Sequence, residues 1–168
     1  MTTRWAELLP AGIQVVVAVP DSLLGPVVAR VVATSTLEYV QVVHESQAVA
    51  VAAGMGLAGQ QALICMENSG LRAAAETIAR LTVLHQIPVL ALTAHRGEFG
   101  DPNWWAQDHS HHMSGLATLF GIPTRAASST AELTEALRAG IALTGTRMRS
   151  ALVVATAGLL RELHRELD

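Results

Sequence analysis

A change of hydrophobic period between Leu37 and Gly59 is the feature that most constrains the fold of this chain. The first part, LEYVQVVHE, is rich in β-branched and aromatic residues, which is typical of a buried strand. From Ser46 onward small apolar residues recur every three or four positions, and this spacing predicts a helix that ends near Gly59. Glu45 therefore lies at a strand-to-helix junction, where open α/β folds bind their ligands. From this pattern alone, Glu45 could equally be a first-turn carboxylate favoured by the helix dipole.

Strands and helices alternate along the rest of the chain. Strands are predicted at 13–20, 37–45, 62–66, 88–94 and 150–156, with a small edge strand or turn after 121–123. Helices are predicted at 3–9, 23–33, 46–58, 71–85, 113–120 and 129–144, followed by an amphipathic tail from 158. This alternation predicts a flavodoxin-like α/β fold, a mostly parallel sheet with helices on both faces. The 168 residues suit a single domain over 1–168.

The composition argues against several classes of protein. Hydrophobic residues make up 51% of the chain and charged residues 15%, so we expect a subunit with a large buried interface. The net charge of −3 argues against nucleic-acid binding. The single cysteine, Cys65, excludes a disulfide framework, is expected in the core, and suits a cytoplasmic protein. Neither a secretion signal nor an apolar run of about 18 residues is found, so we do not expect membrane insertion.

Polar residues follow four successive predicted strands. The carboxyl ends of parallel strands meet at one edge of a sheet, so we expect these residues to form one ligand site. They are Asp21 and Ser22 after the first strand, His44 and Glu45 after the second, Glu67 to Gly70 after the third, and the long loop His95 to His112 after the fourth.

Other chemistries have weaker support in the sequence. Neither a dinucleotide-binding glycine motif nor a P-loop occurs, and Ser69 lacks the flanking pattern of a nucleophile elbow. The cluster of His109, His111 and His112 has three possible meanings: a metal site, a solvated histidine-rich loop, or a proton-transfer site near neutral pH. Arg72 and Arg96 are the cations available for an anionic group of a substrate.

Four stretches of the sequence carry a family resemblance. In order and spacing, VPDS, HESQAVAVAAGMGLAG, MENSG and HRGEFGDPNWWAQDH resemble the pyrimidine-binding domain of thiamine-diphosphate enzymes, and most closely the phosphonopyruvate and sulfopyruvate decarboxylases. The resemblance implies a lyase subunit that removes CO₂ from a 2-oxo acid similar to 3-sulfopyruvate or 3-phosphonopyruvate and releases an aldehyde. A carboligase subunit of the same superfamily, or a non-catalytic interaction subunit with this fold, is the alternative.

The resemblance also implies roles for individual residues. Glu45 is expected to hydrogen-bond N1′ of the cofactor's aminopyrimidine and so to activate the cofactor, which requires a carboxyl group held in an apolar site. Asp21 is expected to lie over the reacting carbon, although it also suits the N-cap of a helix. His111 and His112 are expected to handle protons on the reaction intermediate. The remaining implied contacts are Asn68, Ser69 and Gly70 to the cofactor, and Ser22, Arg96 and His109 to the substrate.

The cofactor's diphosphate and its Mg²⁺ are expected to bind elsewhere. The family holds them through a Gly-Asp-Gly motif followed by an Asn-Asn pair, whereas this chain has Gly100-Asp101-Pro102 and no Asn pair. No residue of this chain is therefore expected to bind a metal. The resemblance implies a hetero-oligomer in which this α subunit needs a β subunit that carries the diphosphate-binding domain, so the chain alone is expected to be inactive.

Overall fold

The central sheet contains six parallel strands in the order β2-β1-β3-β4-β6-β5, within residues 5–146 and 148–167, which a computed structural model describes. Parallel pairing brings the six carboxyl ends to one edge of the sheet. The strand order reverses between β1 and β3, and ligands bind at such reversal points in open α/β sheets. The strands are β1 (Val15–Ala18), β2 (Glu38–Gln41), β3 (Ala62–Glu67), β4 (Leu90–Ala94), β5 (Thr124–Ala127) and β6 (Ala151–Ala155).

Helices cover both faces of the sheet, as the alternation predicts. One core lies between the sheet and α1, α6 and α7, and a second core lies between the sheet and α2, α3, α4 and α5. Leu63 and Ile64 of β3 enter the first and the second core respectively, because successive strand residues point to opposite faces. The helices are α1 (Gly25–Ala33), α2 (Glu45–Leu57), α3 (Gly70–Ala73), α4 (Ala75–Ile78), α5 (His109–Leu119), α6 (Thr130–Thr146) and α7 (Ala157–Arg165).

The central strands agree best with the sequence. β3 and β4 are apolar runs that are buried on both faces, and β1 is entirely buried. Cys65 lies within β3, and its burial raises the pKa of its thiol, so the prediction of a core cysteine is confirmed. Among the described residues, no helix combines the length and the apolar character that a membrane span requires.

The strand before Glu45 is shorter and more exposed than predicted. β2 covers only Glu38–Gln41, at the edge of the sheet, and of its four residues only Val40 is half-buried. Val43, beyond the end of the strand, is 85% exposed. The prediction of a buried strand at 37–45 was therefore wrong, because an apolar run does not reveal whether its strand lies at the centre or the edge of the sheet.

The helix predicted at 71–85 is broken into three segments. α3 ends at Ala73, α4 follows as a single turn, and a π-helical segment covers Ala79–Leu84. The break falls at Ala74, whose φ of −95° and ψ of 5° leave the helical region while the residue itself is completely buried. Leu84, predicted on the buried face, is exposed.

The chain ends and the long loop also differ from the predictions. A 3-10 helix at Trp5–Glu7 replaces the predicted helix at 3–9, whose proposed cap Thr3 lies outside the described residues. The loop after β4 stops at 108, because α5 already begins at His109. Gly97 lets two parts of this loop approach each other closely: its φ is +82°, and a Cβ there would overlap with the carbonyl oxygen of Ala106.

Candidate active site at the carboxyl end of the sheet

The carboxyl ends of β1, β3 and β4 bring polar residues together beside the point of strand reversal. The backbone N–H of Val19 donates to the carbonyl of Cys65, and that of Asn68 donates to the carbonyl of Ala94, so the three strand ends stay in register beyond the strands. The predicted convergence of polar strand ends is thus present for Asp21, Glu67 and Arg96.

Glu67 is the centre of this arrangement, although the sequence predicts it only as one of several polar strand-end residues, without an individual role. Its side chain is only 15% exposed, and its Oε1 accepts a hydrogen bond of 3.0 Å from Ser69 Oγ. His109 Nδ1 lies 3.1 Å from the same oxygen, and Arg96 Nε lies 3.7 Å from Oε2. Both nitrogens are buried without a hydrogen bond of good geometry among the described residues, so their contact with Glu67 is electrostatic.

The guanidinium of Arg96 is nearly buried and contacts several polar and aromatic side chains. Its side chain is 13% exposed, its Nη2 donates to Ser22 Oγ at 3.1 Å, and its Nη1 lies 3.9 Å from Asp101 Oδ1. The guanidinium also lies 5.5 Å from the ring centroid of Trp105, within the range of a cation–π contact. We call Glu67, Arg96, Asp101 and His109 the clamp cluster, because they join the end of β3 and the loop after β4 to α5. The substrate-binding role of Ser22, Arg96 and His109 stays a prediction.

Asp101 completes the clamp cluster from within the long loop. Its carboxylate accepts backbone hydrogen bonds from Asn103 at 2.9 Å and Gly97 at 3.0 Å, and these bonds lower the pKa of Asp101. By accepting these two bonds, the Asp101 carboxylate stabilises the turn between Gly97 and Asn103. Nearby, His95 is bonded to Glu98 at 2.7 Å and to Ser110 at 2.9 Å, which ties the loop to α5.

Asp21 accepts backbone hydrogen bonds, as a helix-capping residue does, and its carboxyl group is also largely buried. Its Oδ1 accepts hydrogen bonds from the backbone N–H groups of Leu23, at 2.7 Å, and Leu24, at 2.8 Å, and so caps the turn that leads into α1. Burial raises the pKa of Asp21, and the negative charge of Glu67 adds to this, although the backbone donors and Arg96 act in the opposite direction. Its catalytic role stays a prediction.

Glu45 is the first residue of α2 and is half-buried. The helix is capped by His44, whose Nδ1 accepts a hydrogen bond of 3.2 Å from the backbone N–H of Ser46. The hydroxyl of Ser46 in turn donates to the carbonyl of Ala73 at 3.2 Å, which joins the start of α2 to α3. The capping of α2 therefore belongs to His44, and the carboxylate of Glu45 is not needed for it.

Gly70, the first residue of α3, leaves room for Glu45. A Cβ atom at this position would lie 2.7 Å from Glu45 Cγ and 2.6 Å from Met66 Sδ, both closer than real Cβ contacts allow. Only glycine fits here without movement of its neighbours. The neighbouring Asn68 is 1% exposed; its Nδ2 donates to the carbonyl of Arg96 at 2.8 Å, while its Oδ1 has no partner among the described residues.

The three clustered histidines point in different directions, because they lie on a helix rather than on the predicted loop. His109 is buried and faces Glu67, His111 is exposed, and the Nδ1 of His112 lies 3.0 Å from Arg72 Nη1. The ring centroids of His111 and His112 are 6.0 Å apart. Within residues 5–146 and 148–167, no three acidic, histidine or cysteine side chains meet where they could hold a metal ion, so a metal site at this cluster has no support.

The amino-acid sequence of this chain is similar to the sequences of two kinds of decarboxylase. No family model matches the chain. It is 32% identical over 133 residues to the sulfopyruvate decarboxylase subunit alpha of Methanothermobacter thermautotrophicus, which covers 79% of this chain and 81% of that protein. It is also 33% identical over 119 residues to a phosphonopyruvate decarboxylase of Streptomyces hygroscopicus, where the match covers 70% of this chain and 29% of the relative.

Solved structures share the fold at lower identity. A 2-oxoglutarate:ferredoxin oxidoreductase from Magnetococcus marinus superposes with a TM-score of 0.65 and 17% identity, over 93% of this chain and 28% of the other. Benzoylformate decarboxylase from Polynucleobacter necessarius superposes with a TM-score of 0.61 and 14% identity, over 90% and 31%. These likenesses confirm the predicted α/β fold, a parallel sheet with helices on both faces. More narrowly, the chain belongs to the family of sulfopyruvate decarboxylase α subunits, as the sequence motifs indicate.

Proposed function

We propose that this chain is the α subunit of a thiamine-diphosphate-dependent 2-oxo acid decarboxylase, and that Glu45 activates the cofactor. The family membership supports the class of reaction. The single observation that carries the residue assignment is the contact between Glu45 and Gly70. A half-buried carboxylate, not needed as a cap, lies against bare backbone at the carboxyl end of the sheet, where this fold binds ligands.

The residues around Glu45 fit an aminopyrimidine ring. Such a ring offers a nitrogen to a carboxyl donor and an amino group to a carbonyl acceptor. Glu45 supplies the first partner, and the buried Oδ1 of Asn68 is an acceptor that lacks a partner among the described residues. The missing side chain of Gly70 leaves its backbone open to close approach. When bound, thiamine diphosphate supplies a carbon nucleophile that attacks a keto group and then accepts the electron pair left by CO₂.

This chain's own residues then hold and move protons. Glu45 shares a proton with the ring nitrogen at its carboxyl group. Asp21, with its raised pKa, is an acid held over the same end of the sheet. We propose a substrate of the 3-sulfopyruvate or 3-phosphonopyruvate type, since the relatives bear the names of enzymes that act on these acids. The product is the aldehyde that is one carbon shorter.

We propose that a second chain, the β subunit, binds Mg²⁺ and the diphosphate. A relative matched over 79% of this chain is itself called a subunit alpha. In this chain the stretch nearest to the family's metal motif is Gly100-Asp101-Pro102, and the Asp101 carboxylate accepts bonds from Gly97 and Asn103 and faces Arg96. It is therefore engaged within its own loop.

The test is reconstitution with a partner. We would co-express the chain with a polypeptide that carries Gly-Asp-Gly and Asn-Asn motifs, titrate thiamine diphosphate with Mg²⁺, and follow CO₂ release from a panel of 2-oxo acids. The proposal predicts release that needs both chains and the cofactor. Cofactor binding with C–C bond formation from an added aldehyde, but no net aldehyde release, would indicate a carboligase instead. Activity of the complex that survives Glu45→Ala would indicate a non-catalytic interaction subunit.

A further inference from the structure

The two arginines available to an anionic substrate have opposite surroundings. Arg96 is almost buried, with Glu67 and Asp101 within 4 Å and with Ser22 as its hydrogen-bond acceptor. Its positive charge is balanced by its own chain, and an anion that approached it would also meet two carboxylates. Arg72 is exposed on α3 and contacts His112, a side chain that carries no negative charge. Arg72 is thus the better candidate for recognition of an anion.

The contact between Arg72 and His112 fixes where the donors lie. A guanidinium has only donors, so at 3.0 Å its Nη1 donates and His112 Nδ1 accepts. The ring proton of a neutral His112 is then on Nε2, which leaves Nε2–H and the other guanidinium N–H groups as donors. Two donor groups from neighbouring helices, without a carboxylate among their described contacts, form a suitable site for a tetrahedral oxyanion.

The pair lies beside Glu45 rather than elsewhere on the molecule. Arg72 is two residues from Gly70, against which Glu45 packs, and the next residue, Ala73, accepts the hydrogen bond of Ser46 from the start of α2. His112 lies one helical turn after His109, at the start of α5. By contrast, Arg161 is exposed on α7, which packs with α1 on the opposite face of the sheet.

We infer that Arg72 and His112 bind the anionic tail, a sulfonate or phosphonate, of the 2-oxo acid substrate. The inference rests on the proposed function and assigns the substrate specificity of the same site. Arg96 then has the separate task of holding the loops of the clamp cluster. In this account His112 binds the tail through its Nε2–H, and Arg72 both binds the tail and sets the tautomer of His112.

The experiment compares Arg72→Met and His112→Gln with wild type in the co-expressed complex. Arg138→Met, which removes an exposed arginine from α6 on the other face of the sheet, is the matched control. Steady-state rates are measured with 3-sulfopyruvate, 3-phosphonopyruvate and pyruvate, which lacks the tail. We expect Arg72→Met to raise KM for a tailed substrate about 10-fold or more, as loss of a charged hydrogen bond does, while the pyruvate constants and Arg138→Met stay near wild type. An equal loss with pyruvate, or an unchanged KM with both tailed acids, would overturn the inference.

A binding measurement separates this inference from the proposed function. Sulfoacetate and phosphonoacetate, which carry the tail without a keto group, are titrated calorimetrically into the wild-type and variant complexes. Binding that weakens in Arg72→Met but not in Arg138→Met supports the anion site, even if the complex released no CO₂ from any acid, a result that would count against the proposed function alone. The preferred tail shows which of the two oxyanions the site selects. Binding that is unchanged in Arg72→Met contradicts the inference whatever the activity.

Discussion

The carboxyl end of the sheet has two halves that treat polar groups differently. In the clamp cluster each charged side chain is at most 15% exposed and has partners of its own chain. The other half, which we call the open rim, consists of Glu45, Gly70, Arg72 and His112. Its carboxylate and its two donor groups are half-buried or exposed, and only the backbone of Gly70 is buried. Polar groups that are nearly buried and balanced by opposite charges organise loops, whereas those that stay partly exposed are accessible to a ligand.

The difference shows how a site is kept in shape without a ligand. The clamp cluster lies at the end of β3, in the loop after β4 and at the start of α5, and these segments lead directly into the parts of α3 and α5 that carry Gly70, Arg72 and His112. Electrostatic contacts of Glu67 with Arg96 and His109 therefore fix the helix starts on which Arg72 and His112 depend. Supporting contacts of this kind hold functional groups in position before a ligand binds.

The largest effect on activity should come from the open rim. In the proposed function Glu45 shares a proton with the cofactor. Glu45→Gln would remove this proton and keep the size of the side chain, so CO₂ release by the complex should fall by about 10²-fold or more, in the range typical of a lost acid–base group. Urea unfolding should be almost unchanged, because His44 caps α2. Glu38→Gln, an exposed residue of β2, is the control and should retain full activity. A fully active Glu45→Gln complex would remove the functional distinction between the two halves.

The largest effect on stability should come from the clamp cluster. Glu67→Ala leaves Arg96 nearly buried without its central carboxylate, and loss of one partner of a buried ion pair costs roughly 3 kcal/mol of unfolding free energy. Glu135→Ala breaks the exposed pair with Arg125 and should cost less than about 1 kcal/mol. Urea midpoints of the two variants give the comparison directly. Equal losses would mean that the buried cluster is no more important to the fold than a surface pair.

A smaller and mixed effect is expected at the boundary between the halves. Gly70→Ala places a methyl group against Glu45 and the buried Met66, and overpacking of this kind costs about 1–3 kcal/mol. Cofactor affinity of the complex should also fall, because Glu45 must move. Gly54→Ala, in α2 with open space around its Cβ, should instead stabilise the chain by about 0.5–1 kcal/mol. Calorimetric titration with thiamine diphosphate and thermal unfolding measure the two effects. A Gly70→Ala complex with wild-type affinity would show that the Glu45 contact is unimportant.

The smallest effect concerns pH. Since burial raises the pKa of Asp21, the folded chain holds this proton more tightly than the unfolded chain in the range just above the ordinary pKa of an aspartate. The stability contribution of Asp21 is therefore full below that range and falls as pH rises through it. Asp21→Asn keeps an acceptor for Leu23 and Leu24 but cannot ionise. Urea unfolding between about pH 4 and pH 7 should show wild type losing stability relative to Asp21→Asn as pH rises. Parallel curves would contradict the raised pKa.

The sequence predicts the centre of the fold better than its edges. Strands β3 and β4 are buried on both faces, so their apolar runs leave little ambiguity. The stretch around β2 contains several β-branched residues, yet β2 itself is half polar and lies at the sheet edge, and nothing local in a sequence specifies strand order. The break at Ala74 involves neither glycine nor proline and follows from tertiary packing, which local propensity does not register.

The site shows the same division between local and long-range information. Glu45 and Asn68 are predicted site residues because they stand at strand ends within recognisable motifs, and their roles stay predictions. Glu67 was noticed as polar but received no role, because its partners Arg96 and His109 are far away in sequence and are brought to it by the loop after β4 and by α5. The histidines were expected on a loop, and only their placement on α5 separates the clamp residue His109 from the rim residue His112.

The central claim, that Glu45 activates the cofactor, is tested most directly by exchange of the proton on thiazolium C2. The complex is loaded with thiamine diphosphate and Mg²⁺ without substrate, transferred to deuterium oxide, quenched with acid at short times, and the remaining C2 proton is measured by NMR. The account predicts rapid exchange in wild type and exchange slowed to nearly that of the free cofactor in Glu45→Gln, with the cofactor still bound. Equal exchange rates in the two complexes would contradict it.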